Sequence, residues 1–554
     1  MTLGLRDKMA AISTQAGLLV LLLCLTASCT GSLCSRAPPS PSLGFHGRRI
    51  FSSNRVRSNS IEDSKVVSDE KHPLLEYETR YFSQIVDHFT YRPEGYKVFQ
   101  QRYLINDKHW GGAKKKAPIF VYTGNEGTIE WFANNTGILF EIAPKFGALL
   151  VFIEHRFYGN SMPFGNRSDS YKSAETLGYL NSQQALADYA TFIIELKKNL
   201  SAEASPVVVF GGSYGGMLAA WFRLKYPHLA IGAVASSAPI LHFDNIVPEN
   251  TFYDIVSNDF KQASQSCFNV IRNSWNDLQS LSREEGGLQK ISRTFRTCKD
   301  LKSVDPVRDW LDEAFTYTAM TNYPTETNFL MPLPAYPVTA MCKIIDSFPQ
   351  GTDTLSRVSA AASIYYNYSN TETCFEMEHD SDPHGLSGWG WQVKSFKIFM
   401  PIAVISLLLF CDPHGLSGWG WQACTEMVMP MNSSVNGMFP PSSFDYPSYE
   451  NDCQKQYGVK PRPHWITTEF GGHDISSVLK NFASNIIFSN GLVDPWSGGG
   501  VLKNISESLV ALVTEKGAHH VDFRFSTSKD PDWLVELRRQ EVQLIREWLQ
   551  QYYK

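Results

Sequence analysis

Unbroken apolar runs and helical patterns alternate along the first half of the chain, and this order predicts an α/β fold. Apolar runs without polar interruption are typical of strands that are covered on both faces. Helical spacing of apolar residues predicts one helix over 181–200 and another from Met217 to Tyr226, where Pro227 ends it. Strand–helix–strand order implies a parallel sheet. The four runs are "PIFVY" (118–122), "ALLVFI" (148–153), "PVVVF" (206–210) and "IGAVASSAP" (231–239).

This regularity breaks after Pro239, and the change of pattern predicts an insertion. Residues 245–465 contain helical patches, proline-rich pieces such as "MPLPAYPV" and seven of the cysteines. Sheet-like runs resume with "SNIIFSNG" and "SLVALV", and an amphipathic helix closes the chain. We therefore predict one α/β domain in two parts, 77–244 and 466–554, with a helical cap domain over 245–465 inserted between its strands.

A duplicated stretch interrupts the predicted cap. "DPHGLSGWGWQ" occurs at 382–392 and again at 412–422, with the apolar segment "VKSFKIFMPIAVISLLLFC" between the copies. A membrane hairpin is one interpretation, but the uncharged core of that segment is shorter than a membrane span and contains Pro401. A tandem repeat is another, but two copies are too few for a solenoid. We favour an alternatively spliced or wrongly assembled transcript, because deleting either 382–411 or 393–422 gives the same sequence.

The N-terminus has the pattern of a targeting segment. Arg6 and Lys8 precede the short apolar run "AGLLVLLLCLTAS", which ends in small residues and is too short for a spanning helix. We assign a secretory signal peptide to 1–29 and a disordered or removable pro-segment, rich in Ser, Pro and Arg, to 30–76. The folded chain is expected to begin near Tyr77, with no membrane contact in the mature form.

Composition and cysteine usage fit an exported globular protein. The formal net charge of -5 gives no reason to propose a nucleic-acid partner. Seven of the ten cysteines lie beyond the leader, and deleting either 382–411 or 393–422 removes Cys411 and leaves six. We expect the secretory pathway, ending in the lysosome, the vacuole or the extracellular space. Candidate glycosylation acceptors are Asn134, Asn166, Asn199, Asn367, Asn432 and Asn504.

Ser213 has the sequence context of a serine nucleophile. "GGSYG" fits the G-x-S-x-G elbow, with a predicted strand before it and a predicted helix after it. Glycines on both sides allow the strained turn, and the helix N-terminus offers free amide groups for a developing oxyanion. The competing interpretation is a glycine-rich loop that contains an ordinary serine.

Two later loops supply the base and the carboxylate that a serine nucleophile needs. Asp494 follows one predicted strand in "FSNGLVDPWSGGG", and His519 follows the next in "VTEKGAHHVDF". Serine, acid and histidine in this chain order are typical of α/β-hydrolases, and open α/β sheets build their sites at the carboxyl ends of strands. Considered alone, Asp494 could equally be a turn residue before Pro495, and the paired histidines could be surface residues. Together with Ser213 they favour a catalytic triad.

Several motifs together resemble one family of serine peptidases. They cover residues of about 77 to 550 and are similar, as a set, to the family of lysosomal Pro-Xaa carboxypeptidase and dipeptidyl peptidase II, with the carboxypeptidase branch the closer. The resemblance implies an α/β-hydrolase fold whose helical, disulfide-bonded cap is inserted between sheet strands. The motifs are "YFSQIVDHF", "VYTGNEG", "FIEHRFYGNS", "GGSYGGMLAAWFRLKYP", "NIIFSNGLVDPWSGGG" and "GAHHVD".

The resemblance also implies roles for individual residues. Its triad corresponds to Ser213, Asp494 and His519. An apolar slot for proline would be lined by Met217, Met429 and Trp496, with ordinary core packing as the competing interpretation. His520 and Arg524 would brace the site or bind a terminal carboxylate, unless they are plain surface residues. Cysteine counting leaves the pairing open; the resemblance implies the disulfides Cys267–Cys342, Cys298–Cys374 and Cys424–Cys453.

A mechanism follows from these assignments. His519 would take the proton of Ser213 as it attacks the carbonyl after proline, while Asp494 fixes the histidine tautomer. The amide of Tyr214 would stabilise the oxyanion together with the "GNEG" loop, where Glu126 and Gly127 are the candidates. Activity is expected at mildly acidic pH.

The leading functional hypothesis is a serine exopeptidase that releases the C-terminal residue of Xaa-Pro-Xaa peptides. A dipeptidyl peptidase that removes N-terminal Xaa-Pro dipeptides is the runner-up. Weaker hypotheses are a lipase or acyltransferase on the same fold, a secreted binding protein and a catalytically impaired splice form. No metal or organic cofactor is implied, the expected partners are proline-containing peptides, and a homodimer is left open.

Overall fold

A nine-stranded sheet forms the centre of the protein. The computed structural model describes residues 51–52, 75–377 and 418–554. Its strands follow the order β1-β2-β3-β5-β4-β6-β7-β8-β9. The six predicted strands are present as β4 to β9. The bounds are β1 Phe51–Ser52, β2 Glu78–Ile85, β3 Val98–Asn106, β4 Ile119–Thr123, β5 Leu149–Ile153, β6 Val207–Gly212, β7 Gly232–Ser236, β8 Ile486–Gly491 and β9 Leu509–Thr514.

Strand direction divides the sheet into two regions. At one edge of the sheet, three successive pairs are antiparallel: β1–β2, β2–β3 and β3–β5. From β5 through β4 to β9 every neighbouring pair is parallel, as the strand–helix–strand order predicts. The carboxyl ends of β6, β8 and β9 therefore lie at the same edge of the sheet.

Helices connect and cover the strands. Before β7 these are α1 Ile129–Asn135, α2 Gly137–Phe146, α3 Arg167–Ser170, α4 Ala174–Leu177, α5 Ser182–Asn199 and α6 Tyr214–Lys225. Between β7 and β8 come α7 Thr251–Ala263, α8 Gln265–Leu281, α9 Gly287–Thr294, α10 Asp305–Met320, α11 Pro337–Ser347, α12 Thr354–Asn367, α13 Gly418–Thr425, α14 Tyr446–Tyr457, α15 Trp465–Phe470 and α16 Ile475–Phe482. The chain closes with α17 Asp532–Tyr553.

Both faces of the parallel region are covered, which explains its unbroken apolar sequences. All residues of β4 to β8 are buried. Alternate strand residues such as Val121 and Val209 belong to a core shared with α5, α6 and the helices inserted after β7. The intervening residues, such as Phe120 and Val208, pack in a second core with α1, α2 and α17. The inserted helices therefore share one apolar core with the sheet.

Three disulfides cross-link the insertion. Cys267 on α8 is bonded to Cys342 on α11, and Cys424 on α13 to Cys453 on α14. The third bond, Cys298–Cys374, joins two loops. All three pairings that the family resemblance implied are confirmed. Cys411 lies outside the described residues.

The duplicated stretch is described only in part. The first copy, the apolar segment and the start of the second copy lie outside the described residues, as do the leader and residues 53–74. The end of the second copy forms α13, where every residue is buried. Among the helices that the structure does describe, none combines the length and the apolar character required to cross a membrane.

A buried pair of carboxyl groups joins α17 to the loop after β9. Asp522 accepts a hydrogen bond from the Ser236 hydroxyl at 2.6 Å. Glu541 on α17 is 1% exposed, and burial, followed by the charge of Asp522, raises its pKa well above its ordinary value. Arg538 donates to the backbone carbonyl of Asp522 at 2.8 Å. Glu541 is therefore protonated in the folded protein at acidic pH.

We predict that deleting 382–411 leaves the fold intact. The deletion preserves the whole second copy, including Trp419 and Gln422, and the six cysteines of the disulfides. We expect all six to be oxidised by thiol counting, with a melting temperature no lower than that of the full chain. Free thiols or an unfolded product would show that the deleted residues support the cap.

Glu541 should make the protein less stable as pH rises. An unfolded glutamate ionises near pH of about 4.3, whereas the folded pKa of Glu541 is raised. The unfolded chain loses this proton first, so stability falls as pH rises from that value towards the folded pKa. Glu541→Gln should reduce the drop in melting temperature between about pH 5 and pH 8. The change Glu547→Gln, at an exposed position on the same helix, should leave this drop unchanged. An equal drop in melting temperature in the wild type and both variants would contradict the raised pKa of Glu541.

Candidate active site

The backbone turns sharply at Ser213, between β6 and α6. Ser213 has φ 56° and ψ −128°, a left-handed conformation that is strained for a residue with a side chain. A Cβ atom at Gly211 would lie 2.0 Å from the Gly215 carbonyl oxygen, so only glycine fits there. The amide of Ser213 donates to the Ser236 carbonyl at 2.9 Å, which ties the turn to β7. The predicted helix starts earlier than expected, at Tyr214, directly after the serine.

Asp494 and His519 are hydrogen-bonded to each other in the loops after β8 and β9. The distance from His519 Nδ1 to Asp494 Oδ2 is 2.8 Å, and both residues are completely buried. The other carboxylate oxygen accepts from the Trp496 amide at 3.1 Å. The backbone of His519 is held at both ends, because its amide donates to the Met320 carbonyl and its carbonyl accepts from the Tyr323 hydroxyl.

This bond determines which imidazole nitrogen is available. A carboxylate only accepts, so Nδ1 carries the proton and Nε2 has a free lone pair. His519 Nε2 is buried and has no hydrogen-bond partner among the described residues. Ser213 and His519 line the same cavity but form no hydrogen bond with each other in the part of the chain that the structure describes. Such contacts often tighten only when substrate binds.

One of the two cavities at Ser213 is apolar. Of the slot residues inferred from sequence, Met217, Met429 and Trp496 all line it. Sequence reasoning missed two further walls, Pro239 and Trp419. Trp419 belongs to the second copy of the duplicated stretch, whose "GWGW" pattern was the available signal. Ser213 and Tyr214 complete the lining.

A second cavity lies at Ser213 together with His519. Apolar walls make up much of it, and Glu126 and Asn125 of the "GNEG" loop also line it, whereas Gly127 does not. The Asn125 side chain donates to the Gly212 carbonyl at 2.7 Å, which fixes this loop against the nucleophile turn. The apolar walls are Trp131, Phe132, Met320, Phe329 and Leu330, and His520 completes the lining.

The oxyanion candidates therefore differ in position. Tyr214 is the first residue of α6, where backbone amides have no acceptor within the helix. Glu126 lies at the second cavity with Ser213, and Gly127 follows it outside the lining. The oxyanion role of the Tyr214 amide and of the loop amides stays a prediction.

His520 is buried and Arg524 is half-buried, so neither is a plain surface residue. The His520 ring packs 4.4 Å from the His519 ring and edge-on against Phe329. Burial, the neighbouring His519 and Arg524 lower the pKa of His520 well below its ordinary value, so it is neutral at mildly acidic pH. Arg524 donates to Asn135 and Thr327, and lies 5.5 Å from the centroid of the Phe329 ring. Among the described residues it forms no ion pair.

Two buried titratable groups near Asp494 were not singled out from sequence. Burial, and then the charge of Asp494, raises the pKa of Asp259 on α7 to about 8. His242 packs edge-on against Trp496, with ring centroids 5.4 Å apart, and burial lowers its pKa to about 4. Both groups are therefore neutral at mildly acidic pH and add no charge beside the Asp494 carboxylate.

Comparison with known proteins agrees with this geometry. A family described as "Serine carboxypeptidase S28" matches residues 84–541. Lysosomal Pro-X carboxypeptidase of Mus musculus is 43% identical over 484 residues, which cover 86% of this chain and 90% of that protein. The Homo sapiens protein of the same name is 42% identical over 484 residues, covering 86% and 89%. "Prolyl carboxy peptidase like protein 5" of Caenorhabditis elegans is 35% identical over 495 residues, covering 86% and 90%.

A solved structure gives a weaker match. Proline iminopeptidase of Mycobacterium smegmatis shares 10% sequence identity, covers 82% of this chain and 95% of its own, and has a TM-score of only 0.33. The family match spans most of the chain, and its mammalian relatives exceed 40% identity over 86% of it. The chain is a serine peptidase with an α/β-hydrolase fold, and it belongs to the serine carboxypeptidase S28 family.

Proposed function

We propose that this protein is a serine carboxypeptidase that cleaves after proline and releases the C-terminal residue of Xaa-Pro-Xaa peptides. The mammalian relatives at 42–43% identity are named Pro-X carboxypeptidases, which favours this activity over that of a dipeptidyl peptidase. The observation that carries the proposal is the pair of cavities that meet at Ser213. A peptide bond placed over the serine would have one cavity on each side.

The apolar cavity suits the proline ring. Proline has no backbone N–H and offers a compact apolar surface, so a pocket that holds it needs apolar walls and no hydrogen-bond acceptor. Met217, Met429 and Trp496 provide such walls directly beside Ser213. The lining of this cavity includes no carboxylate that could bind the N-terminal amine of an Xaa-Pro dipeptide. This composition favours a carboxypeptidase.

The second cavity suits the released residue. His519 lines it, so the proton that His519 carries away from Ser213 is available to a leaving amine on that side. The aromatic walls Trp131, Phe132 and Phe329 favour an apolar or aromatic C-terminal side chain. We assign the C-terminal carboxylate to Arg524, whose guanidinium lies 5.5 Å from the ring centroid of Phe329, a wall of this cavity, although Arg524 itself is not part of the lining. It forms no ion pair among the described residues.

The chemistry then proceeds in two stages. His519 Nε2 accepts the Ser213 proton during attack on the carbonyl, and Asp494 stabilises the imidazolium through the 2.8 Å bond to Nδ1. The Tyr214 amide and the "GNEG" loop stabilise the oxyanion. His519 protonates the departing amine, and water, activated in the same way, hydrolyses the acyl-enzyme.

Processing and location are further parts of the proposal. The mammalian relatives carry lysosomal names, and the N-terminal leader favours entry through the secretory pathway. We propose glycans on the four acceptors with exposed side chains. Asn367 is less suited, because it is 8% exposed and its amide donates to the Glu372 carbonyl; Asn432 is half-buried and bonded to Glu249. The four are Asn134, Asn166, Asn199 and Asn504.

Matched peptides test the proposed specificity. Peptides with a blocked N-terminus and a free Pro-Phe C-terminus should be cleaved, and phenylalanine should be released. Peptides with a free Xaa-Pro N-terminus and an amidated C-terminus should be left intact. Release of Xaa-Pro dipeptides, with the blocked peptides left intact, would replace this proposal with the dipeptidyl peptidase.

Asp494→Asn should reduce kcat by roughly 10⁴-fold at mildly acidic pH, the loss seen when a triad aspartate is replaced by its amide. The control is Asp259→Asn. The pKa of Asp259 is raised to about 8, so at acidic pH the wild-type side chain is already uncharged and this variant should keep near-wild-type activity. At about pH 5 the activity of Asp494→Asn should be far below that of Asp259→Asn. Similar losses of activity in both variants would contradict the role of Asp494 as the triad carboxylate.

Arg524→Met should weaken discrimination between a free C-terminal carboxylate and its amide by about tenfold or more, since a hydrogen bond to a charged group is lost. The acid-to-amide ratio of kcat/KM measures this directly. Arg524→Lys should retain part of the discrimination, and Arg539→Met, an exposed change on α17, should retain all of it. An unchanged ratio in a folded Arg524→Met variant would exclude the assigned role.

A further inference from the structure

A buried polar network joins the cap helix α13 to the residue that follows the nucleophile. Gln422 is completely buried, and its amide nitrogen donates both to the Tyr214 hydroxyl at 2.9 Å and to Glu426 at 2.8 Å. Its carbonyl oxygen accepts from the Tyr158 hydroxyl at 2.6 Å. Both amide protons and the carbonyl of this side chain are therefore used.

The direction of each hydrogen bond in the network is fixed. His155 Nδ1 lies 2.7 Å from the Arg156 carbonyl, which only accepts, so this nitrogen carries the proton. Burial lowers the pKa of His155 to about 4, so the ring is neutral and Nε2 accepts. The Tyr214 hydroxyl, 3.1 Å away, donates to it. Tyr214 can then only accept from the side facing Gln422, which requires a donor there.

The other end of the network is anchored on the sheet domain. Glu426 accepts from the Ser182 amide at 3.0 Å and from its hydroxyl at 2.9 Å, at the first turn of α5. A carboxylate at a helix N-terminus is favourable. Gln422 therefore connects three elements that are distant in sequence: α5, the loop after β5 that holds Tyr158, and the start of α6.

The cap holds the Tyr214 ring on two sides. Trp419 lies one turn before Gln422 on α13 and packs edge-on against this ring, with centroids 5.2 Å apart. Tyr214 and Trp419 both line the apolar cavity at Ser213. The shape of that cavity therefore depends on the contact between α13 and Tyr214.

We propose that Gln422 is a positioning residue that sets specificity for proline by fixing the Tyr214 ring in the wall of the apolar cavity. This rests on the proposed function. Gln422 does not line the cavity; it acts through Tyr214. A fixed wall holds the rigid pyrrolidine ring in one orientation over Ser213. Without Gln422, the Tyr214 ring is held only by His155 and Trp419, so it can shift and admit other side chains.

A double-mutant cycle tests the role. Gln422→Met keeps the length of the side chain and removes its hydrogen bonds, and Tyr214→Phe removes the shared hydroxyl. The readout is the ratio of kcat/KM for acetyl-Ala-Pro-Phe to that for acetyl-Ala-Ala-Phe. Each single variant should lower the ratio at least about fivefold, in line with the loss of one buried hydrogen bond. The double variant should lower it little further, because both changes break the same bond.

A second variant on the same helix separates specificity from stability. Trp421 donates to the Leu180 carbonyl at 3.2 Å and packs with Tyr457, away from the apolar cavity. Trp421→Phe should lower the melting temperature and leave the proline-to-alanine ratio unchanged. Labelling of Ser213 by a small fluorophosphonate, which does not fill the proline cavity, should stay within about threefold of wild type in Gln422→Met. None of the three hydrogen bonds lost in this variant involves Ser213 or His519.

Each outcome decides the matter. A folded Gln422→Met with the wild-type ratio, additive losses in the double variant, or an equal loss in Trp421→Phe would overturn the proposal. If Gln422→Met fails to fold, Tyr214→Phe, which removes a single oxygen atom, still tests the hydroxyl that Gln422 holds: an unchanged ratio in this variant would overturn the proposal. A wild-type protein without preference for proline would instead refute the proposed function. The double-mutant cycle would then compare kcat/KM for a peptide with the preferred residue in place of proline.

Discussion

The hydrogen bond between His519 Nδ1 and Asp494 Oδ2 is the interaction on which the rest of the site depends. Both partners are completely buried, so the Asp494 carboxylate relies on His519 and the Trp496 amide for its hydrogen bonds. The bond fixes the tautomer and leaves Nε2 facing the cavity that Ser213 also lines. Without it, the strained turn at Ser213 would present a hydroxyl with no base. The parallel sheet makes the bond possible, because β8 and β9 end at the same edge as β6.

The cap is part of this site and not a separate cover. Its core is continuous with that of the sheet, and it contributes Trp419 and Met429 to the apolar cavity and Met320 to the other. The disulfide Cys424–Cys453 holds α13, the helix that carries Trp419, against α14. In the function that we propose, catalytic chemistry comes from the sheet edge, and the selection of the peptide comes from the surface between sheet and cap.

The parallel strands, and the positions of the candidate triad residues after them, could be predicted from sequence because their signals are local. Each strand of the parallel region is an uninterrupted apolar run, and Ser213, Asp494 and His519 each follow such a run. The antiparallel strand β3 was missed because it carries Gln101 and Arg102, polar residues that are buried only because distant groups such as Glu154 pair with them.

The cavity and the polar network depend on contacts between distant parts of the chain, and sequence patterns do not encode these. Gln422 lies 208 positions from Tyr214, and nothing in "GWGWQ" indicates that its glutamine meets a tyrosine hydroxyl. Asp259 is likewise unremarkable in sequence, because only its burial near Asp494 alters its pKa. The disulfide pairing came from family resemblance, since cysteine counting could not supply it.

The most direct measurement is fluorophosphonate labelling of the purified protein, followed by mass spectrometry of the modified peptide. If the imidazole of His519 activates the Ser213 hydroxyl, the label will be found on Ser213, and it will be lost in Ser213→Ala and strongly slowed in His519→Gln. A folded protein that takes no label, or one that is labelled as fast without the imidazole as with it, would contradict the catalytic role of this site.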